Sequence, residues 1–356
     1  MTDTAYNRNG GLTLVALPGF LKLAKTIKPL IEELGESEKR PTPVDIVEPE
    51  FGLRASGEPY IRLGKDHVGG HDCVVLTSGP GTYEMLGQVD FALGYLAGRH
   101  ARRIALITGY MPLSRSDKDE GKKELALAPR VVRRFFEAAG GQMERIIAAD
   151  LHVPQIVMAG PTMGSLTEIH LGRRLLQKAL ADAANEYPNL QICLLLPDDG
   201  AYKKFKGDIE YLEKETGRHL PVVVGQKRRE SSRDSKLQGL FGDTKDLRDA
   251  LVLAADDEIA TGGTLIQTAR AVTTDYGAKL FWSAAIHGVL CGNAASVLSG
   301  DSPIDRIYIT DTIPPHHRPQ LAPLLACCRL RVVSWAPELA QISYCHHWDR
   351  SIREQR

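Results

Sequence analysis

The sequence predicts an α/β protein of two units, each a mostly parallel sheet flanked by helices, and three observations carry that expectation. Short apolar runs of strand length alternate with longer amphipathic stretches along most of the chain, the pattern of a parallel sheet covered on both faces. The 356 residues amount to two units at roughly 150 residues each. Turn-forming, glycine-bearing segments follow several of the apolar runs, as in 78–81 (SGPG), 197–200 (PDDG) and 261–264 (TGGT).

Taken in order, residues 104–108 (IALIT) read as a buried strand, followed by a polar loop and a helix over 126–139. In that helix Val131, Val132, Phe135 and Phe136 recur at helical spacing, Arg133, Arg134 and Glu137 face water, and Gly140 supplies the C-cap. The next strand is 145–149 and the next helix 166–186. Further strands are expected at 191–196, 221–224, 251–255, 280–286 and 307–309. The apolar-poor stretch 227–236 (KRRESSRDSK) follows a strand and reads as a mobile loop. A first unit is expected to end near Gly164, and a second near Thr312, after which the chain returns with a helix at 320–328 and a strand at 330–335.

Composition excludes several classes. With 44 basic and 44 acidic side chains the formal charge is zero, which argues against a nucleic-acid binder and its basic stripe. At 43% hydrophobic and 25% charged residues the chain is neither disordered nor fibrous. No run approaches the roughly 18 apolar residues of a membrane span, and the polar start at 1–10 lacks the apolar middle of a signal peptide. The six cysteines are scattered, mostly in apolar runs and without a CxxC pair, so reduced thiols and a cytoplasmic location are expected. Cys345, His346 and His347 with Cys327 and Cys328 lack standard zinc spacing, so the tail reads as helical packing.

The chemistry concentrates in 251–265 (LVLAADDEIATGGTL). A buried strand ends in Asp256 and Asp257, and a loop then carries Thr261, Gly262, Gly263 and Thr264 into a helix. Glycines let the backbone approach an anion, and a helix amino terminus offers N–H groups to a phosphate. Threonine hydroxyls add donors, and adjacent acids accept hydrogen bonds from a ribose diol. The combination suits a sugar bearing a diol and a 5′-phosphate.

This loop resembles the signature of the phosphoribosyl-diphosphate family, and other segments narrow the resemblance to ribose-phosphate diphosphokinases. Residues 56–63 (SGEPYIRL) are similar to the DGE-x-x-VRI segment, 115–118 (RSDK) to RQDK, and 150–156 (DLHVPQI) to DLHAxQI. Likewise 197–200 (PDDG) resembles PDxG, 286–294 (IHGVLCGNA) THGxLSGxA, and 310–314 (TDTIP) TNTIP. The resemblance implies two phosphoribosyltransferase-like domains, 1–164 joined by 315–356, and 165–314. It implies Mg²⁺-dependent transfer of the diphosphoryl group of ATP to the anomeric hydroxyl of ribose 5-phosphate, giving 5-phosphoribosyl 1-diphosphate (PRPP) and AMP. Such transfer depends on cations that meet the charge growing on the phosphate oxygens.

By the same resemblance, Lys227 and Arg229 are the catalytic cations that close over the phosphates; taken alone, their stretch reads as a solvated charge run. His152 and Asp198 are implied as Mg²⁺ ligands, although alone His152 reads as a structural residue and Asp198 as part of a turn. Glu58, Arg115, Ser116 and Asp117 are implied at the ATP, and Asp256, Asp257, Thr261, Gly262, Gly263 and Thr264 at the ribose phosphate. Departures cluster at the nucleotide: the family's Phe-x-Asp-Gly-Glu is here Arg54-Ala55-Ser56-Gly57-Glu58, and Phe51 is the nearest aromatic that would substitute. Ser116 replaces a glutamine, and Glu258 an apolar residue beside the acceptor. The resemblance also implies a homo-oligomer, a dimer-based hexamer. Two alternatives stand beside this reading: the same transfer to ADP-ribose, and a non-catalytic synthetase-associated subunit. The SGPG turn at 78–81 receives no catalytic residue.

Overall fold

The computed structural model describes residues 10–65, 67–118, 124–229, 235–242 and 244–352; for 226–229 and 235–238 the description covers the backbone. The chain divides into a first unit, Met1–His170 with Trp335–Arg356, and a second, Leu171–Ser334. Among the described residues no helix is long and apolar enough to cross a membrane.

The first unit opens with β1 (Leu12–Ala16), α1 (Leu21–Ser37) and β2 (Val44–Val47), then a hairpin of β3 (Glu50–Leu53) and β4 (Pro59–Arg62). There follow β5 (Asp72–Thr77), α2 (Tyr83–Gly98), β6 (Arg103–Thr108), α3 (Ala128–Ala138), β7 (Met143–Ala149) and β8 (Leu166–Ile169). Apart from the hairpin, the strands form one parallel sheet in the order β2-β1-β5-β6-β7-β8. β1 and β5 are buried at every position, as strands covered on both faces must be. In α3 the expected Val131, Val132 and Phe135 are buried, and Gly140 at φ +57° follows its end.

The second unit holds α4 (Gly172–Glu186), β9 (Ile192–Leu196), α5 (Asp199–Thr216), β10 (Val222–Arg229), β11 (Ser235–Gly242) and β12 (Leu251–Glu258). It continues through α6 (Gly263–Thr274), β13 (Leu280–His287), α7 (Ala294–Ser299), β14 (Arg306–Thr310), α8 (Ala322–Ala326) and β15 (Leu330–Val333). Its seven-stranded sheet runs β11-β10-β9-β12-β13-β14-β15, parallel except for the β10–β11 pair.

Four expectations need correction. The stretch 166–186 is not one helix: Leu166 pairs with Ile146 of β7, so 166–169 is an edge strand and the helix starts at Gly172. That pairing moves the boundary of the first unit from 164 to 170. The return does not begin at 315, because β15 pairs with β14 and Leu321, Leu324 and Leu330 join the core of the second unit; it begins at Trp335. Finally, Lys227 and Arg229 do not lie in a loop: their backbone extends β10, paired with Leu237 and Ser235 of β11.

After Trp335 the chain adds α9 (Ala336–His347), which packs on α1 of the first unit. Asp72, fully buried at the start of β5, accepts from Arg103 Nε at 2.9 Å and lies 2.8 Å from His347 Nδ1. Arg103 also donates to the carbonyl oxygen of His347 at 2.9 Å, which ties the helix end to the sheet. Burial alone would raise the Asp72 carboxyl, yet the hydrogen bonds from Arg103 and His347 outweigh it and hold it below its ordinary value. Next to this network His346 is buried, with no hydrogen-bond partner for Nε2 among the described residues. Burial, aided by the Arg103 cation, lowers its imidazole from 6.5 to about 4.

Because the unfolded chain takes up that proton first, the contribution is complete above about pH 6.5 and is lost as pH falls toward 4. The interval corresponds to roughly 3 kcal/mol. Urea unfolding between pH 7 and pH 4 is expected to show that loss in the native chain and a flatter profile in His346→Leu. Parallel profiles would remove His346 as the cause.

Candidate active site

In an open α/β sheet, ligands gather at the carboxyl ends of neighbouring strands whose connections leave in opposite directions. In the second unit these strands are β9 and β12, since α5 leads outward from β9 to β10 while α6 leads from β12 to β13. The topology thus brings 197–200 beside 256–264, two segments separated by more than fifty residues of sequence. Asp198 caps α5, its Oδ1 accepting the Ala201 N–H at 3.0 Å, which fixes the carboxylate at the end of β9.

At the end of β12 the burial changes from complete to partial at Asp256, Asp257 and Glu258. Asp256 Oδ1 accepts the Asp257 N–H at 2.9 Å, and Glu258 stands in register with His287 of β13. Gly262 caps α6 at φ +79°, where a side chain would strain the backbone and meet Leu298 at 3.0 Å. Gly263 differs: beyond its chain neighbours and its own helix backbone, the nearest atom to a Cβ built there among the described residues is Thr261 Oγ1, at 4.0 Å. Packing therefore demands the first glycine and leaves open space at the second. The first intrahelical bond runs from Ile266 N–H to Gly262 O at 3.0 Å, so the N–H groups of Gly263, Thr264 and Leu265 form the helix's amino terminus. Thr261 is exposed and Thr264 half-buried at that end.

β10 pairs with β9 only as far as Val224 opposite Leu196, then runs on against β11 with a register shift between Gln226 and Lys227. Lys227 therefore lies roughly 10 Å beyond the end of β9 along the strand, at about 3.3 Å per residue, on the side of the sheet edge where 256–264 stands. The side chains of Lys227 and Arg229 lie outside the described residues.

In the first unit the switch point falls between β1 and β5. There the SGPG turn is occupied internally: Ser78 Oγ accepts the Tyr110 N–H at 3.0 Å, and the Gly79 N–H donates to Tyr110 O at 2.6 Å. Glu58 sits at the exposed tip of the β3–β4 hairpin and accepts from Ser56 Oγ at 2.8 Å. Phe51, the aromatic expected to substitute, stands in β3 opposite Ile61 rather than at that tip, and packs half-buried against the core. What the hairpin presents instead is Tyr60 flanked by Arg54 and Arg62, with guanidinium carbons 5.8 and 4.8 Å from the ring centre. Arg115 is exposed, Asp117 half-buried. Ser116 serves the scaffold: its Oγ accepts the Leu127 N–H at 3.1 Å and donates to Leu125 O at 3.3 Å.

His152 is half-buried just past β7. It and Asp198 belong to different units. The ligand-type atoms of Asp150, Glu168 and His170 lie within 4.8 Å of one another at the ends of β7 and β8. Glu168 accepts the Leu151 N–H at 2.8 Å, and His170 Nδ1 is 3.4 Å from Asp150 Oδ1. This trio escaped sequence reading because 166–186 looked helical. On a strand, positions 168 and 170 share a face; on a helix they do not. The two carboxylates are hard oxygen donors of the kind Mg²⁺ takes, whereas imidazole suits softer ions better.

Fold and site together define a class: a two-unit, doubly wound α/β protein of the phosphoribosyltransferase-like type, with its chemistry-bearing loops at strand ends. A ribose-phosphate pyrophosphokinase of Burkholderia pseudomallei is 30% identical over 290 residues, covering 81% of this chain and 82% of the relative. One from Ralstonia nicotianae is 29% identical over 290 residues, covering 82% and 84%. The crystal structure of phosphoribosylpyrophosphate synthetase from Mycobacterium smegmatis shares the fold, with a TM-score of 0.71 at 22% identity over 95% of this chain and 99% of that one. No protein-family model matches the chain. The chain belongs to the ribose-phosphate pyrophosphokinase family, and it is an enzyme.

Proposed function

We propose that the chain transfers the diphosphoryl group of ATP to ribose 5-phosphate, giving PRPP and AMP. The anomeric oxygen bonds to the β-phosphorus as the bond from that phosphorus to the α,β-bridging oxygen breaks. The bridging oxygen leaves on AMP, and the hydroxyl proton passes to solvent. One observation carries the reading: an acid-ended strand running into a glycine–threonine turn and a helix amino terminus at a switch point. Asp256 and Asp257 accept from the ribose diol in this reading, while Thr261, Thr264 and the N–H groups after Gly262 hold the 5′-phosphate.

Lys227 and Arg229, carried on the overhang of β10, neutralise charge on the transferred oxygens. Glu58, Arg115, Ser116 and Asp117 belong to the nucleotide side, with the Ser116 hydroxyl acting through the backbone it holds. His152 in the first unit and Asp198 in the second are read as Mg²⁺ ligands, and within the first unit Asp150 and Glu168 offer further hard carboxylate oxygens; Mg²⁺, when bound, would supply charge neutralisation at the phosphates. A homo-oligomeric, cytoplasmic enzyme is part of the same reading.

The test is AMP release from ATP and Mg²⁺ with either ribose 5-phosphate or ADP-ribose as acceptor. AMP is expected with ribose 5-phosphate. Release with ADP-ribose alone would reassign the acceptor, and none with either would identify an associated non-catalytic subunit. Presence of Lys227, Arg229, His152, Asp198 and the TGGT turn in one chain favours catalysis.

A further inference from the structure

Between β14 and α8 the chain makes two 3₁₀ turns, Pro315–His317 and Pro319–Leu321, with Arg318 at their junction. Its guanidinium reaches three successive carbonyls of the turn after β13: Nη1 donates to Gly288 O at 2.8 Å, and Nη2 donates to Val289 O and, at 2.9 Å, to Leu290 O. No carboxylate pairs with it among the described residues, and burial lowers its ordinarily very high pKa. An arginine desolvated without an acid is costly, so its hydrogen bonds to carbonyls have to compensate.

The turn it grips is bonded to the acceptor loop. Leu290 N–H donates to Ile259 O at 2.8 Å and Cys291 N–H to Ala260 O at 3.0 Å, while Ile259 N–H donates to His287 O at 3.0 Å. Ile259 and Ala260 immediately precede Thr261. The turn itself holds Leu290 at φ +44° and Gly292 at φ +60°, a backbone that persists for a non-glycine residue only when its surroundings over-determine it. Gly288 packs closely on β14: a Cβ there would meet the Ile309 side chain at 2.6 Å. A chain of contacts thus runs from the Arg318 fork through 288–291 to 259–260 and on to the turn at 261–264.

We propose that Arg318 is a positioning residue for the acceptor: it fixes the three carbonyls that set where Ile259 and Ala260 stand, and so holds the phosphate-facing turn in shape. The inference rests on reading 256–264 as the ribose 5-phosphate site. A planar fork with five donors reaches three carbonyls at once, whereas an ammonium acts as one point charge. The effect therefore falls on acceptor binding and leaves ATP handling alone.

Three variants separate this from a general loss of stability: Arg318→Met, Arg318→Lys and, as control, Arg306→Ala. Arg306 pairs with Glu186 and stacks on Trp282 4.4 Å from the ring centre, at the opposite end of the sheet. Ribose 5-phosphate binding is measured by calorimetry without ATP, beside KM for each substrate and Tm. For Arg318→Met the expected result is ribose 5-phosphate Kd and KM raised about ten- to hundredfold, with KM for ATP within about twofold. Arg318→Lys is expected to recover part of the loss and provides the answer if the methionine variant does not fold. Arg306→Ala is expected to lower Tm without weakening ribose 5-phosphate binding. Unchanged acceptor Kd in both Arg318 variants, or an equal rise in Arg306→Ala, would overturn the proposal. Failure of the unsubstituted enzyme to bind ribose 5-phosphate would instead overturn the reading of the loop, and the proposal with it.

Discussion

Lys227→Ala is expected to lower kcat about a thousandfold while leaving KM for ribose 5-phosphate within about twofold. In the proposed transfer, negative charge spreads over the diphosphoryl oxygens and the departing AMP as the bond to the bridging oxygen breaks. A cation that meets this charge only in the transition state changes kcat, whereas one that holds bound substrate changes KM. The backbone supports the first case. β10 outruns β9 after Val224, and the register shift at Gln226–Lys227 re-aims the strand just before the lysine. The backbone of Lys227 thus stands on a two-stranded extension past the end of β9, outside the 256–264 segment itself. Steady-state kinetics with calorimetric binding of ribose 5-phosphate checks the split. Equal losses in kcat and acceptor affinity would make Lys227 a ground-state ligand.

The second large effect concerns the paired glycines, which differ in backbone conformation and packing. Gly263→Val is expected to raise KM for ribose 5-phosphate about a hundredfold while Tm stays close to that of the unsubstituted enzyme. Among the described residues outside its chain neighbours and own helix backbone, the nearest atom to its Cβ is 4.0 Å away, so packing is little disturbed, while under the proposed function the new side chain would fill volume the phosphate needs. Gly262→Ala is expected to act the other way round. The position has φ +79° and a close Leu298, so the substitution costs roughly 1–2 kcal/mol in backbone strain. Tm should fall there whether or not the cradle is used. Thermal unfolding with and without ribose 5-phosphate separates the two. Loss of Tm in Gly263→Val with acceptor affinity intact would refute the assignment of open space to the ligand.

Much of the second unit was legible in the primary structure because its signals are local. The run from Leu251 to Ala255 is long enough for a buried strand, acids follow it, and two glycines between threonines open a helix; each feature constrains its own backbone. Residues 166–186 misled for a related reason. Their apolar spacing continues smoothly into α4, and only pairing with β7 turns the first four residues into a strand. That one misreading also hid Glu168 and His170, whose common face exists only in extended backbone. Phe51 shows the same limit: proximity in sequence to the hairpin tip said nothing about its neighbours, and its half-buried place opposite Ile61 against the core follows only from the strand pairing.

From the amino-acid order alone came the two-unit α/β class, the acid-ended strand with its glycine–threonine turn, and the basic residues at 227 and 229. Folding in three dimensions added what no local pattern encodes: that β9 and β12 are neighbours, that β10 continues as a paired strand past its neighbour's end, and that Arg318 grips the turn bonded to Ile259 and Ala260. The division has a physical cause. Turn chemistry and helix starts are settled by a few adjacent residues, whereas strand order and the reach of a buried arginine follow from which distant apolar surfaces leave water together.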